Sequence, residues 1–446
     1  MTEKSIYKQF WRYAIPTVAA MLVNGLYQVV DGIFIGQYMG GDGLAGINLA
    51  WPIIGTILGL GMMVGVGTGA LASIKQGEGK LTDAKKALAT GLIALVALSP
   101  VIAVILWQYS DVFLSIQGAE GRVHDLAMQY LDILIIGGVF TLGSIAVPFL
   151  LRNDDSPNTA TMLMVLGAII NIALDYWFIA VLDWELRGAA LATAIAQAVV
   201  TLLGFAYFFS GRAKMRLSLA DLKFQFSMLP SIISIGLASF FMYAYGSFMV
   251  ALHNGLFADY GSVTLVGAYA ILGYIVAFYY LVAEGLANAM QPLLSYNYGA
   301  RRQDNMRKLF NIATLSAVLG GAIFVTVLNL FPYQTVSIFN SSEPLLIEHT
   351  VNGIRLHLFS MFLDGFIVVA AAYYQAISHS RKALFVTLGN MLVQLPFLYI
   401  MPKLWGVDGI WVAYPLSNIA ISLVVGVMIW RDISKLDRTA LQPITA

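Results

Sequence analysis

Two aspartates interrupt apolar runs long enough to cross a bilayer, and their surroundings point to one kind of chemistry. Asp31 lies in Val29-Val30-Asp31-Gly32-Ile33-Phe34, and Asp175 in Ile170-Asn171-Ile172-Ala173-Leu174-Asp175-Tyr176-Trp177. A carboxylate at the bilayer centre costs about 2.5–3.5 kcal/mol on insertion scales, so it persists where it is paired, protonated or turned toward a wet cavity. Each of those states makes it a candidate site for a proton or a cation. Asn171 precedes Asp175 by one helical turn on the same face, and Thr193 offers a hydroxyl at similar depth. Two carboxylates, an amide and a hydroxyl form an oxygen cage suited to H+ or to a hard cation such as Na+. Asn24, Gln28 and Asp31 fall at i, i+4 and i+7, a polar stripe expected to face the interior. Pro16 has no amide hydrogen, so it leaves the Arg12 carbonyl without its helical donor and gives the helix a point of bending.

Other ionisable residues rank below this set. Asp364 falls in the middle of an apolar run, with Arg355 and His357 nearer its outer end; an internal ion pair and a second cation site are both open. Glu284 falls near an inner helix end where water solvates it, and for Asp132, about six residues into its span, a place in the outer cluster is open but an interface position suits it better. No phosphate-cradling loop exists, because Gly77-Glu78-Gly79-Lys80-Leu81 lacks both the upstream spacing and the hydroxyl residue after lysine. The chain has no cysteine, and its five histidines show no zinc spacing. ATP-driven pumping by this chain alone and thiol chemistry are therefore disfavoured, and no nucleophile–base constellation marks it as an enzyme.

The elements that position these residues follow from composition. Hydrophobic residues make up 59% of the 446, charged residues only 11%, and mean hydropathy is +0.78. An ordinary soluble domain carries roughly 25% charged residues, so this is an integral membrane protein. Twelve spans are expected, at 11–38, 48–74, 86–108, 126–150, 160–182, 187–209, 228–257, 262–290, 308–331, 350–376, 383–404 and 407–430. They read as helices, since a barrel would show short alternating strands. No soluble domain of useful size is left over, and the retained first span follows a polar start without a signal-peptide pattern. All lysines and arginines except Arg122, Arg187, Arg355 and Lys403 fall at the N-terminus, as Lys4 does, in the even-numbered loops, or at the C-terminus, as Arg438 does. Under the positive-inside rule both termini are cytoplasmic. Asp31 and Asp175 then sit level, about 10 Å below the outer surface at 1.5 Å per residue.

The chain also repeats. A shift of 222 residues lays Leu166-Gly167 on Leu388-Gly389, and Gly77-Glu78-Gly79-Lys80 on Gly299-Ala300-Arg301-Arg302. His253 falls on Asp31 in the same shift, but Pro16 and Pro230 do not match in it. We expect a six-helix lobe at 1–209, a cytoplasmic linker at 210–227, a second lobe at 228–430 and a cytoplasmic tail at 431–446, with a pseudo-twofold axis along the membrane normal. The second span, with Gly55, Gly59, Gly61, Gly65 and Gly69, should let another helix approach closely. A net charge of +1 argues against a nucleic-acid partner, which would need a concentrated basic face.

With these residues in place the chain resembles the MATE (multidrug and toxic compound extrusion) transporters over essentially its whole length. The resemblance rests on Pro16 followed by Asp31-Gly32-Ile33-Phe34-Ile35-Gly36, on the loop Gly77-Glu78-Gly79-Lys80, and on Met290-Gln291-Pro292-Leu293-Leu294-Ser295-Tyr296-Asn297-Tyr298-Gly299-Ala300. The carboxylate set is similar to the DinF-like branch, with Asp31, Asn171, Asp175 and Thr193 on the matching positions and Tyr27 matching too. The NorM-like branch has a glutamate in its seventh helix, and residues 231–253 hold no acid, although Asp364 resembles that branch's helix 10 carboxylate. The resemblance implies a monomeric secondary antiporter without a cofactor, exchanging H+, or Na+, for amphipathic and often cationic organic compounds. A flippase of lipid-linked saccharide is the alternative; it would be expected to place several Arg or Lys in its cavity, where the spans offer only Arg355.

Overall fold

The computed structural model describes residues 5–440; Lys4, the tail beyond Ala440 and the Arg438 side chain lie outside the described residues. The apolar runs fold as helices because a helix satisfies its backbone groups within one segment, which a bilayer demands. In order these are α1 Ile6–Gly77, α2 Leu81–Ile116, α3 Gly121–Ile136, α4 Gly138–Asn153, α5 Pro157–Asp175, α6 Glu185–Phe209, α7 Leu229–Tyr260, α8 Val263–Gly299, α9 Gln303–Leu330, α10 Pro332–Ser337, α11 Pro344–His357, α12 Phe362–Ala376 and α13 Ser380–Ala440. Eight are long and apolar enough to cross a membrane, and two bent pairs bring the number to ten. Both α1 and α13 consist of two helices meeting at a glycine, Gly40 (φ 63°, ψ −151°) and Gly406 (φ 58°, ψ −133°). Only glycine holds that backbone region at low cost. The fold is therefore all-α with twelve crossings in two lobes.

Two of the expected spans are not continuous. The fourth divides at Gly137 into α3 and α4, which meet at 67°, and the tenth divides into α11 and α12 at 54°. The Gly137-Gly138 pair accounts for the first break, since two glycines make a helix interior weak. The second carries neither glycine nor proline. There the chain makes tight turns, Met361 N–H to the Leu358 carbonyl at 3.1 Å and Asp364 N–H to the Met361 carbonyl at 3.0 Å. The new direction brings α12 against α8 and α9, where a Cβ on Gly321 would lie 2.7 Å from the Phe362 Cα. Packing, not local sequence, sets this break. A third irregularity follows α5: after Asp175 the helix widens into a π turn, Tyr176–Val181, closed by Leu182 N–H to the Trp177 carbonyl at 3.0 Å.

The chain forms two compact units, one from Arg12 to Ala244, the other from the segment up to Trp11 together with Tyr245 onward. In the first, the glycines of α1 do what their spacing suggests. A Cβ on Gly65 would lie 2.8 Å from the Ala146 Cα, and one on Gly61 2.9 Å from the Leu142 carbonyl oxygen, so α1 lies directly on the backbone of α4. The first half of α7 belongs to this unit because Gly67 meets the backbone of Ile232 and Gly236 that of Met63. Its basic-loop end is tied by two adjacent carboxylates. Asp154 accepts hydrogen bonds from the Tyr207 hydroxyl (2.8 Å) and the Lys214 and Met215 amides (2.9 and 2.7 Å). Asp155, held at φ 62°, accepts from Arg12 (3.0 Å), Tyr13 (2.7 Å) and the Lys214 ammonium. In the second unit, Trp411 is fully buried among Phe257, Tyr269 and His357, and α12 packs against α8, α9 and α13.

Candidate functional site

Asp31 reaches the first unit's interior from the first half of α1, and Asp175 comes from the last α-helical residue of α5. They are 9% and 0% exposed. The π turn directly after Asp175 alters which residues can share a face beyond it, so the local irregularity sits at the residue whose aim matters. Asn171, one turn earlier, donates its amide hydrogen to the Thr193 hydroxyl of α6 at 3.2 Å. The two carboxyl groups lie within interaction range of each other. All four residues expected to form the cage are buried and meet in one place.

What surrounds them decides the chemistry. Among the described residues no donor reaches Asp31 Oδ1, either oxygen of Asp175, or Asn171 Oδ1, and all four atoms are buried. Unsatisfied buried acceptors of this kind are costly, because the group has lost water without a replacement. A proton shared between the carboxyls, or a cation among the oxygens, supplies what the protein does not. The four orphaned oxygens accept positive charge.

Tyr130, on α3, completes the wall. Its ring is buried and its hydroxyl lies beside Thr193, facing both carboxylates. Sequence alone does not mark it, since a tyrosine in the outer half of a span looks like an interface anchor; at about four residues into its span it lies about 6 Å down, against about 10 Å for Asp31, so depth gives only a weak signal. Tyr27 faces both carboxylates from α1, with Gln28 beside its hydroxyl. The polar stripe is not uniformly enclosed, however: Asp31 is buried, Asn24 half-buried and Gln28 exposed. At 3.6 residues per turn Gln28 and Asp31 stand about 60° apart, enough to put one at the edge of the face that buries the other. Pro16 lies within an unbroken stretch of α1, its carbonyl accepting from the Thr161 hydroxyl at 2.8 Å.

Asp364 belongs to the second unit. It is buried, accepts from Asn418 Nδ2 at 2.7 Å and from the Tyr414 hydroxyl, and has Tyr280 nearby. The expected internal pair with Arg355 or His357 is not formed. Arg355 is exposed, and His357 turns its Nδ1 to the Trp411 carbonyl at 2.9 Å. The α11–α12 break separates these side chains from Asp364 in direction although they are close in sequence. Unlike Asp175, Asp364 has donors on both oxygens. Asp132 is exposed, as an interface residue would be.

Comparisons with known proteins bear on the family and the fold. The family model MatE matches residues 16–177 and 228–400. The multidrug export protein MepA of Staphylococcus aureus is 25% identical over 431 residues, which span 95% of this chain and 94% of MepA. Among solved structures, an outward-facing multidrug resistance MATE family transporter of the MOP superfamily superposes with a TM-score of 0.92 at 25% identity, covering 97% of both chains. MATE in complex with MaD3S does so with a TM-score of 0.91 at 24% identity, covering 98% of both chains.

Proposed function

This chain belongs to the MATE family of transporters, and we propose that it is a secondary multidrug exporter that exchanges H+ for amphipathic, often cationic organic compounds. The carrying observation is the acceptor-only cage: three carboxylate oxygens and one amide oxygen, buried, without a donor among the described residues. Na+ fits the same oxygens and is the alternative coupling ion. The set Asp31, Asn171, Asp175 and Thr193 supports placement in the DinF-like branch.

Coupling follows from the charge balance. With both carboxylates ionised the cage needs a counter-charge, and a proton shared between Asp31 and Asp175 removes one of the two negative charges. The first half of α1 can then repack, since the charge it carried no longer requires a wet surrounding. A proton shifts this equilibrium only through unequal affinity for the two arrangements. Asn171 and Thr193 hold each other and tie α5 to α6, while Asp31 comes from a different helix, α1. We place the protein in a bacterial inner membrane as a monomer with both termini cytoplasmic, and assign the two sequence repeats to 1–209 and 228–430; the compact units divide differently, at Trp11 and at Ala244, because the first half of α7 packs on α1. The flippase reading is not favoured, because Arg355 is exposed rather than gathered with other cations for a phosphate.

The test is flux in proteoliposomes. Efflux of a fluorescent organic cation should depend on an imposed proton gradient and collapse with a protonophore. Asp31→Asn and Asp175→Asn should abolish coupled efflux in folded protein. Wild-type flux from purified Asp31→Asn would refute the assignment, and dependence on Na+ alone would select the alternative ion.

A further inference from the structure

The linker between α6 and α7 is built into the first unit. Along 212–217 the side chains alternate: Arg212, Lys214 and Arg216 face out, while Ala213, Met215 and Leu217 pack into a core with Leu88, Leu151 and Phe208. Period-two alternation is what an extended segment shows when one face is buried. Its backbone is fastened at several points, the Lys214 and Met215 amides to Asp154, Leu217 N–H to the Phe208 carbonyl at 2.8 Å, and Gln225 N–H to the Thr90 hydroxyl at 3.1 Å.

A segment held this way presents its outer side chains in a set direction, and past Ser218 many of them are apolar. Leu219 is 82% exposed and Phe226 78%, with Leu222 also on the surface. Arg216 and Lys223 stand exposed among them. Asp221, the linker's single acid, is engaged by the backbone and hydroxyl of Ser218, and Lys85 of α2 adds positive charge beside it. The surface is thus apolar and basic together. Water suits only half of that description; an anionic lipid suits both, with the headgroup meeting the cations and the acyl boundary taking the apolar side chains. The linker starts and ends on membrane-crossing helices, so the bilayer surface adjoins it at both ends.

We propose that the outer face of residues 216–226 is a binding surface for anionic phospholipid in the adjoining leaflet. Leu219, Leu222 and Phe226 insert at the acyl boundary, and Arg216 and Lys223 hold the headgroups. This lies beyond the transport reading and does not depend on the coupling ion.

The chain has no cysteine, so Leu219→Cys and Phe226→Cys can each carry a single spin label at an exposed position. The full-length protein is reconstituted in phosphatidylcholine with or without phosphatidylglycerol, and label collision with oxygen is compared with that of a water-soluble nickel chelate. Both labels should be reached by oxygen and shielded from nickel in bilayers containing phosphatidylglycerol. Removing that lipid, or adding Arg216→Gln or Lys223→Gln, should lower the ratio of inserted to free label, about fivefold for each charge removed. Nickel access in phosphatidylglycerol bilayers overturns the proposal. Shielding indifferent to lipid charge and to both substitutions removes anionic lipid as the partner.

Discussion

Replacing Gly67 with alanine pits two effects of opposite sign against each other. Alanine is the better helix former by about 0.8–1.0 kcal/mol, so on propensity alone Gly67→Ala should stabilise. The new Cβ, however, would lie 2.8 Å from the Ile232 carbonyl carbon and closer still to its oxygen, where ordinary contact begins at 3.4 Å. The oxygen, as the nearer atom, sets the separation, so the two backbones must part by more than about 1 Å, and overpacking of this kind costs about 1–3 kcal/mol. Net destabilisation of roughly 0–2 kcal/mol is expected from these two terms. Gly236 is the reciprocal case, its Cβ 2.6 Å from the Met63 carbonyl carbon, whereas Gly246 further along α7 has nothing within 4 Å. Unfolding midpoints in a denaturant series in detergent should rank Gly246→Ala at or above wild type and both contact glycines below it. Once one alanine has parted the helices the second meets less resistance, so the double substitution should cost clearly less than the sum. Gly67→Ala as stable as Gly246→Ala, or strict additivity of the pair, would refute the close-contact reasoning.

Four further outcomes are expected. Asp364→Asn should reduce efflux less than Asp175→Asn, because the protein already supplies donors to both Asp364 oxygens; a dead Asp364→Asn beside an active Asp175→Asn would move the coupling site to the other unit. Tyr130→Phe, which keeps the ring and removes the hydroxyl beside Thr193, should shift the pH profile of efflux while leaving the unfolding midpoint near wild type, and an unchanged profile would exclude it from the site. Burial pushes the Asp155 carboxyl up, but hydrogen bonds from Lys214 and Tyr13 and the charges of Lys214 and Arg12 outweigh that and hold it below the usual carboxylate range; its stabilisation is therefore complete above the ordinary value of about 3.9 and is lost as pH falls through the lowered one, so Asp155→Asn should flatten the acid limb of a stability–pH curve and a limb of wild-type steepness would exclude that role. Single cysteines at Ser218 and Ser262 should label from opposite faces of intact cells, and same-face labelling would overturn the expected topology.

Which parts of this could be read from sequence depends on whether the signal is one-dimensional. A carboxylate inside an apolar run announces itself, so Asp31, Asp175 and Asp364 were all visible, and helical periodicity brought Asn171 with Asp175. The glycine contacts of α1 with α4 were legible as spacing, and the Gly137 break had a glycine pair to mark it. The α11–α12 break did not, because its cause is the approach of α12 to Gly321 of α9. The same break parts Arg355 from Asp364: two residues nine apart on one straight helix keep a calculable angle, and across a 54° turn they do not. Asp154 and Asp155 look like ordinary turn residues. Their importance comes from Lys214 and Met215, about sixty positions away, which sequence does not bring near them.

The same contacts say where motion can occur within the first unit. Below Pro16, α1 is held by Arg12 and Tyr13 on Asp155 and by Thr161 on the Pro16 carbonyl. Above, it ends at Gly40, whose backbone geometry interrupts the helix. Between those limits the single charged side chain is Asp31. Leu26, Val29 and Ile33 are each more than half exposed, so the outward face of the segment is not locked into a packed core. Asp175 has the opposite setting, fully buried at the end of a helix whose neighbouring Asn171 is bonded to α6. One carboxylate thus belongs to a fixed wall and the other to a segment with a pinned end and a break at the far end. Under the proposed coupling, a proton placed between them changes the interaction of the α1 segment with the α5–α6 wall, and it drives a change of shape only through unequal affinity for two arrangements.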